Sequence, residues 1–490
     1  MAAVAAVVTI ATPSSLPPDK HFQGWPFRAG PFFVCNAMKS EDKFVNCKVK
    51  ENNIVMAESR RDFLKKAGLG IAGFTILPRN VLGAMNGNKS FTAPSDQMTR
   101  GIIGVGGIGK SGLHFASDER CRLVAICDVD QKHLESGLEK GRKQFNTELQ
   151  AYHDFRDLIH DPNVDIVHIA TPSHWHGIMA VEAARAGKDI FCEKPMTRTI
   201  GEGQKVVEAC RKYGTIFRLD TWFRFKDTFY GLGTTVEPLK KLVDSGLLGW
   251  PLTVRISGAT GFAWKFFWTG REDLTPQPVP AELDYDLWLG PAPYKPYHPH
   301  RVHSTFRGYW DYESGGLGDM GQHYIDPVQY LLGKDDDFPI KVEVDAPAQH
   351  PDAVGTWRSI TYTYADGCKI ILEGEGYEST GKVPYIEGPN GKVYKGFECT
   401  IPNVMEVINE LPDPAPRHTD FLSCVQNRQH FALDEIIGYH SATIVNIGAC
   451  ALRLGRTLNF DPATQRFIDD DAANLLINQP MRAPWASMIL

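Results

Sequence analysis

Arg100-Gly101-Ile102-Ile103-Gly104-Val105-Gly106-Gly107-Ile108-Gly109 decides the fold. A short β-like run leads into a Gly-rich turn, and a helical pattern through Leu113 and Phe115 follows. This is the strand, turn and helix order of a dinucleotide-binding unit: Gly104 permits the tight turn, Gly106 lets the backbone approach a pyrophosphate, and Gly109 lets the helix pack closely on the strand. Gly107 and Ile108 complete the loop that would face the phosphates. Such a turn also occurs in ordinary loops, so the next strand carries the decision. Leu123-Val124-Ala125-Ile126-Cys127 ends in Asp128, at the distance where an acidic side chain accepts hydrogen bonds from the adenosine ribose. A carboxylate there repels a 2′-phosphate, and no Arg follows in Val129-Asp130-Gln131, so NAD is expected rather than NADP.

Two further strand patterns extend the unit. Val164–Ala170 runs into Thr171-Pro172-Ser173-His174-Trp175-His176 before a helix over Gly177–Ala186, and Asp189-Ile190-Phe191-Cys192 runs into Glu193-Lys194-Pro195. Loops that follow parallel strands line the ligand crevice of such sheets, which places Thr171, Pro172, Glu193 and Lys194 beside the dinucleotide. His176 reads either as a cofactor-side residue or as a packing residue of its helix.

Together these residues resemble the Gfo/Idh/MocA family of NAD(P)-dependent sugar and cyclitol oxidoreductases, and the resemblance covers Thr99 to Pro484. Its carriers are the GVGGIG turn, Thr171-Pro172 with His176, Glu193-Lys194-Pro195, and the later segment Ser314 to Asp326, which contains Asp319 and His323. The resemblance implies that Lys194, Asp319 and His323 meet at the nicotinamide. Elementary chemistry agrees, because oxidising an alcohol requires an acceptor for the hydroxyl proton, and a histidine suits that role near neutral pH. A spacing of four puts Asp319 and His323 on one helix face, and the Lys194 ammonium can stabilise charge developing on the reacting oxygen.

The implied fold is α/β, with a Rossmann doubly wound parallel sheet over 99–222 and a substrate-binding domain over 223–490. The strand patterns at Leu252–Ser257, Ile340–Val344, Ser359–Tyr364 and Lys369–Leu372 alternate apolar and polar residues, as a half-exposed, mostly antiparallel open sheet does. A late helix is expected over Ser441–Leu454. In the family such an open face supports oligomers, so a homodimer or homotetramer is expected. The irregular stretch Gly261–Tyr312 is crowded with Trp264, Phe266, Phe267, Trp268, Trp288, Tyr294, Tyr297, Tyr309 and Trp310, and carries His298, His300, Arg301, His303 and Arg307. Aromatic faces with charged donors suit a carbohydrate. Trp222, Arg224, Tyr309, Trp310 and Asp311 are the substrate contacts expected from sequence proximity.

Ser59-Arg60-Arg61-Asp62-Phe63-Leu64-Lys65-Lys66 precedes the apolar run Ala67–Leu77, which is short for a bilayer span. It resembles a twin-arginine export signal, with Met56 as the expected start, 1–55 as an upstream extension and 56–98 as signal plus linker. A periplasmic or otherwise exported protein with no stable membrane span in its mature form follows. The net charge of −6 leaves no footprint for nucleic acid, and the 10 cysteines form no zinc-like spacing, so no metal is expected.

Free NAD is not expected outside the cytoplasm, which favours a tightly held cofactor. The expected activity is therefore oxidation or reduction of a secondary hydroxyl of a sugar or glycoside, with carbon 3 of a pyranoside as the candidate position. Redox-neutral glycoside cleavage by oxidation, elimination and re-reduction is the alternative, and a non-catalytic sugar or dinucleotide sensor is the third reading.

Overall fold

The parallel sheet is ordered by the buried runs β1 (Met98–Ile103), β2 (Cys121–Cys127), β3 (Gln150–Tyr152), β4 (Ile166–Ile169), β5 (Asp189–Glu193) and β6 (Phe217–Asp220), paired in the order β3-β2-β1-β4-β5-β6. The computed structural model describes residues 97–111, 114–115, 118–221, 223–225, 229, 232–377 and 382–489. The expected export signal, Leu113 and Trp222 lie outside the described residues.

Strands β4 and β5 are buried throughout. That burial explains why they read as continuous apolar runs rather than as alternation. The register pairs Ile103 with both Cys127 and Ile169, and Cys192 with Leu219, so the carboxyl ends of the central strands finish level. Gly104, Asp128, Ala170, Lys194 and Thr221 each stand one residue beyond a strand end, along one rim of the sheet. That rim is the crevice of a doubly wound sheet.

The helix expected after the Gly-rich turn runs in part through residues outside those described, and Phe115 N donates to Ser111 O at 2.9 Å. A 3-10 turn covers Ile108–Lys110, and Ser111 is already extended at φ −63° and ψ 160°.

The second sheet has the order β12-β11-β7-β10-β9-β8-β13-β14. Its members are β7 (Thr253–Ile256), β8 (Lys341–Asp345), β9 (Ser359–Thr363), β10 (Lys369–Glu373), β11 (Ile386–Glu387), β12 (Lys392–Val393), β13 (Leu458–Asp461) and β14 (Arg466–Phe467). Among the described residues of this sheet, only β7 and β10 pair in parallel. Alternation is visible as burial: Val254, Ile256, Val342, Ile360, Tyr362, Ile370 and Leu372 are all buried, while Thr253, Arg255, Lys341, Glu343, Thr361 and Thr363 are half-buried on the other face.

The inner face packs into one core with Leu317, Tyr324, Ile325 and Val328 of the helix Gly315–Leu332 and with Ile444, Val445 and Ile447 of the helix Glu435–Leu454. Asp434 starts the latter earlier than expected, its side chain accepting from the Ile436 and Ile437 N–H groups. Every residue of Gly315–Leu332 is buried, including its polar ones. Gln322 accepts from Met196 N at 2.8 Å and donates to Gly438 O at 2.8 Å and Ser441 Oγ at 2.9 Å, tying this helix to the segment after Lys194. Packing thereby brings one helix of the second domain against the rim of the first.

Candidate active site

A cleft of about 480 Å³ runs along the rim, within the size range of small-molecule and cofactor sites. One end is lined by Gly104, Gly106, Gly107, Ile108, Asp128 and Asp130, and the other by Lys194, Lys265, Arg307, Glu313, Asp319 and His323. Thr171, Pro172 and Glu193 line it between them.

The glycine end has the shape the sequence implies. Gly104 has φ +88°, and a Cβ there would lie 2.6 Å from Ala170 O. At Gly109 a Cβ would stand 2.0 Å from Gly104 O, so this glycine lets the turn fold back on itself beneath the cleft floor and does not line the cleft. Gly109→Ala is expected to cost at least tenfold in NAD affinity, checked by titration of nicotinamide fluorescence, because the backbone oxygen cannot yield. Asp128 accepts from Val105 N at 2.8 Å and from Asp130 N at 2.9 Å, which fixes its carboxylate at the wall. Loss of a hydrogen bond to a charged group costs about 1.5–3 kcal/mol. Asp128→Ala is therefore expected to weaken NAD retention by about 10- to 100-fold in equilibrium dialysis, and unchanged retention would contradict the ribose contact.

At the other end the structure brings Lys194, Asp319 and His323 together. Lys194 Nζ is 2.9 Å from Asp319 Oδ1 and donates to Asp319 O at 2.6 Å. Two cations that the motifs do not announce join them: Lys265 Nζ lies 2.8 Å from Asp319 Oδ2, and Arg307 Nε lies 2.9 Å from Oδ1. Burial alone would raise the Asp319 carboxyl, but Lys194, Arg307 and Lys265 hold it well below the usual carboxylate range. Asp319 is thus a permanent anion organising three cations.

His323 packs edge-on against Phe223, and its Nδ1 is 2.8 Å from Thr221 Oγ1. Burial, with Lys194 adding, pushes its pKa well down, so the ring enters the reaction neutral. In the tautomer whose Nδ1–H donates to Thr221 Oγ1, Nε2 is the nitrogen with the lone pair.

His176 lies behind the cleft wall. Its Nδ1 is 2.7 Å from Pro195 O and its Nε2 is 2.8 Å from Thr171 O. Burial takes it down to about 4, so the ring is neutral and one of the two carbonyls accepts its single N–H. It joins the Thr171 and Lys194 loops as a packing residue rather than a cofactor contact. Glu193 borders the cleft, and its carboxylate lies 2.7 Å from His114 Nε2.

The substrate contacts expected from sequence proximity lie elsewhere. Arg224 is 2% exposed and spends its guanidinium on Asp326, at 2.7 and 2.9 Å, and on Asp335, at 2.7 and 2.8 Å. Tyr309 is wholly buried in a second aromatic core with Tyr285, Trp288, Tyr297, Phe306 and Tyr312, its hydroxyl 2.7 Å from His300 Nδ1. Trp310 is 4% exposed and donates to His350 O at 3.1 Å. Asp311 accepts through its backbone oxygen from Arg198 and faces Lys295. Of the aromatics singled out in Gly261–Tyr312, Trp288 lines the cleft; Phe306, Phe155, Trp175 and Phe223 supply the rest of its rings, with His303 and Arg307 from the expected basic set. Local sequence order places Tyr309 to Asp311 beside the helix Gly315–Leu332, but Tyr309 and Trp310 turn into two separate cores and Asp311 pairs with Lys295.

Comparison with known proteins agrees with this fold. The profile described as "Oxidoreductase family, NAD-binding Rossmann fold" matches residues 98–221, and that described as "Oxidoreductase family, C-terminal alpha/beta domain" matches 232–487. The inositol 2-dehydrogenase of Salmonella typhimurium is 34% identical over 156 residues, 31% of this chain and 44% of that protein. A glycosyl hydrolase family 109 protein of Shewanella baltica is 34% identical over 173 residues, 31% of this chain and 37% of that one. Both matched stretches fall well short of two thirds of the relative's length. The WlbA dehydrogenase of Chromobacterium violaceum, solved with NADH and UDP-GlcNAcA, shares the fold at a TM-score of 0.53 and 16% identity, over 75% of this chain and 97% of that one.

Proposed function

This chain belongs to the Gfo/Idh/MocA oxidoreductase family, and we propose that it is an exported NAD-dependent oxidoreductase acting on a secondary hydroxyl of a sugar or glycoside, at carbon 3 of a pyranoside. The observation that carries this reading is the convergence of Lys194, Asp319 and neutral His323 at the end of the cleft opposite the glycine turn and Asp128. A relative named for inositol oxidation and a fold neighbour solved with a sugar nucleotide support the substrate class. The Ser59–Lys66 pattern supports export, and the half-buried polar face of the second sheet supports a homo-oligomer.

The residues fit NAD on structural grounds: Gly106 and Gly107 offer a floor without side chains, and the anchored Asp128 carboxylate stands at the wall for the ribose. Bound there, NAD would supply the hydride acceptor. The protein does the rest. His323 takes the hydroxyl proton as the carbon is oxidised, and the contact of its Nδ1 with Thr221 Oγ1 orients the ring. Lys194 donates to the same oxygen and stabilises its developing negative charge. Asp319 holds Lys194, Lys265 and Arg307 in place and offsets the charge that appears on His323. Phe223 and Met320 line the cleft beside this centre.

A second reading, redox-neutral glycoside cleavage, is favoured by one observation: Glu313 is a buried carboxyl in the cleft that oxidation alone does not use. Purified protein with its bound cofactor, incubated with a glycoside panel and no added NAD, separates the readings. Keto-glycoside is the expected product. Free reducing sugar without net oxidation would favour cleavage, and no change with any sugar would contradict both.

A further inference from the structure

Behind the part of the cleft wall that Glu193 forms, one face of the parallel sheet carries a group of ionisable side chains. His168 stands on β4, Glu193 ends β5 and Asp220 ends β6, and the register sets Phe191 beside His168 and Asp220 beside Glu193. Residues two apart along a strand share a face, so Glu193 lies on the side of the sheet that Phe191 and His168 occupy. His114 joins them from the segment after the glycine turn, its ring edge-on to that of His168 with the centroids 4.7 Å apart. All four are buried, and His168 is 0% exposed.

Their polar atoms converge without hydrogen bonding to one another. His114 Nε2 is 2.7 Å from Glu193 Oε1 and 3.4 Å from Asp220 Oδ2, yet neither contact has the angle of a hydrogen bond. Those three atoms and both ring nitrogens of His168 have no hydrogen-bond partner among the described residues. One nitrogen of each histidine and a Glu193 oxygen lie within 4.8 Å of one another. Buried polar atoms are rarely left unpaired, and a group of them at one place calls for a common partner. A ring N–H bonds along one direction, whereas a metal ion accepts lone pairs that arrive from several.

We propose that His114, His168 and Glu193 bind a zinc-type divalent cation, with Asp220 Oδ2 as the fourth donor. Imidazole nitrogens and carboxylate oxygens are zinc ligands, and tetrahedral bonds of about 2.0–2.2 Å set donors about 3.4 Å apart. His114 and Asp220 already stand at that separation. Outer contacts hold two of the ligands: Arg218 donates to the other Asp220 oxygen at 2.9 Å, and Arg100 donates to His114 O at 2.6 Å. Glu193 borders the cleft and gives the ion its entry path. Four protein donors leave no open position, so the ion's role is structural: it ties the ends of β5 and β6 and the middle of the sheet to the segment that follows the glycine turn. The ligands come from four separate stretches of the chain, which is why spacing along the sequence announces no metal.

The holoenzyme, dialysed against zinc and desalted, is expected to retain about one zinc per chain by elemental mass spectrometry. Cobalt in its place is expected to give the strong visible absorption of a four-coordinate ion, and removal of the metal by a chelator is expected to lower the melting temperature by at least about 5 °C. His168→Phe keeps a ring against Phe191 and needs no polar partner, so it is expected to fold and to lower zinc affinity at least about tenfold. His133→Ala is the control for the more exposed group Asp130, His133 and His303, and is expected to retain its zinc. No bound zinc or cobalt above background, a melting temperature indifferent to the chelator, or the weak spectrum of six-coordinate cobalt would each overturn the assignment on the unaltered protein. Zinc lost in His133→Ala and kept in His168→Phe would reveal an adventitious ion only.

Discussion

Lys194→Met lowers turnover by about 10²- to 10³-fold while leaving NAD affinity within a few-fold. The size follows from removing one donor aimed at developing negative charge, which costs about that much in a preorganised site. Methionine keeps the stem but loses the ammonium that lies 2.9 Å from Asp319 Oδ1. Arg307 and Lys265 still engage Asp319, so the helix Gly315–Leu332 stays docked. The Asp128 end of the cleft is untouched, which is why cofactor affinity is expected to survive. Steady-state kinetics on a turned-over glycoside and fluorescence titration of the nicotinamide check the two halves. Turnover within tenfold of the unaltered enzyme would remove Lys194 from the reaction.

Asp319→Asn has the second large effect, on stability as well as activity. Asparagine keeps the shape and loses the charge, leaving Lys194, Lys265 and Arg307 to repel one another. Removing one member of a buried ion pair typically costs about 3–5 kcal/mol. Because the Lys265 side chain is 39% exposed, the low end is expected, about 3 kcal/mol in chemical denaturation. A loss below about 1 kcal/mol would show that the cations find other partners. The pH dependence follows from the depressed carboxyl. The unfolded chain takes up this proton first, so the stabilisation is present above about pH 4 and lost as pH falls further. Asp319→Asn should lack that component of acid sensitivity.

The first domain was legible in the sequence because its signals are local. Gly104, Gly106 and Gly109 encode backbone geometry, and Asp128 and Lys194 sit at strand ends that the apolar runs reveal. The second sheet was legible through alternation, which the burial of Ile360 and Tyr362 against half-buried Thr361 and Thr363 repeats residue by residue. Lys265 and Glu313 carried no such signal: each reaches the cleft from an irregular segment whose path is set by tertiary packing. The same packing misled the reading of Arg224, Tyr309 and Trp310. An arginine after a sheet strand and aromatics before a catalytic helix are near the site in sequence, yet Asp326 and Asp335 take the arginine and the second aromatic core takes Tyr309. His176 was readable as a packing residue, and its two carbonyl neighbours explain why it stands between the Thr171 and Lys194 loops.

Hydride transfer from a sugar carbinol is the central claim, and one labelled turnover tests it. The holoenzyme is mixed with a glycoside deuterated at every ring carbinol carbon, quenched within the first turnover, and its nicotinamide analysed by mass spectrometry and NMR. The account predicts one deuterium on the reduced nicotinamide and a carbonyl at carbon 3 of the sugar. All label retained on the sugar, with the glycoside consumed, would contradict it.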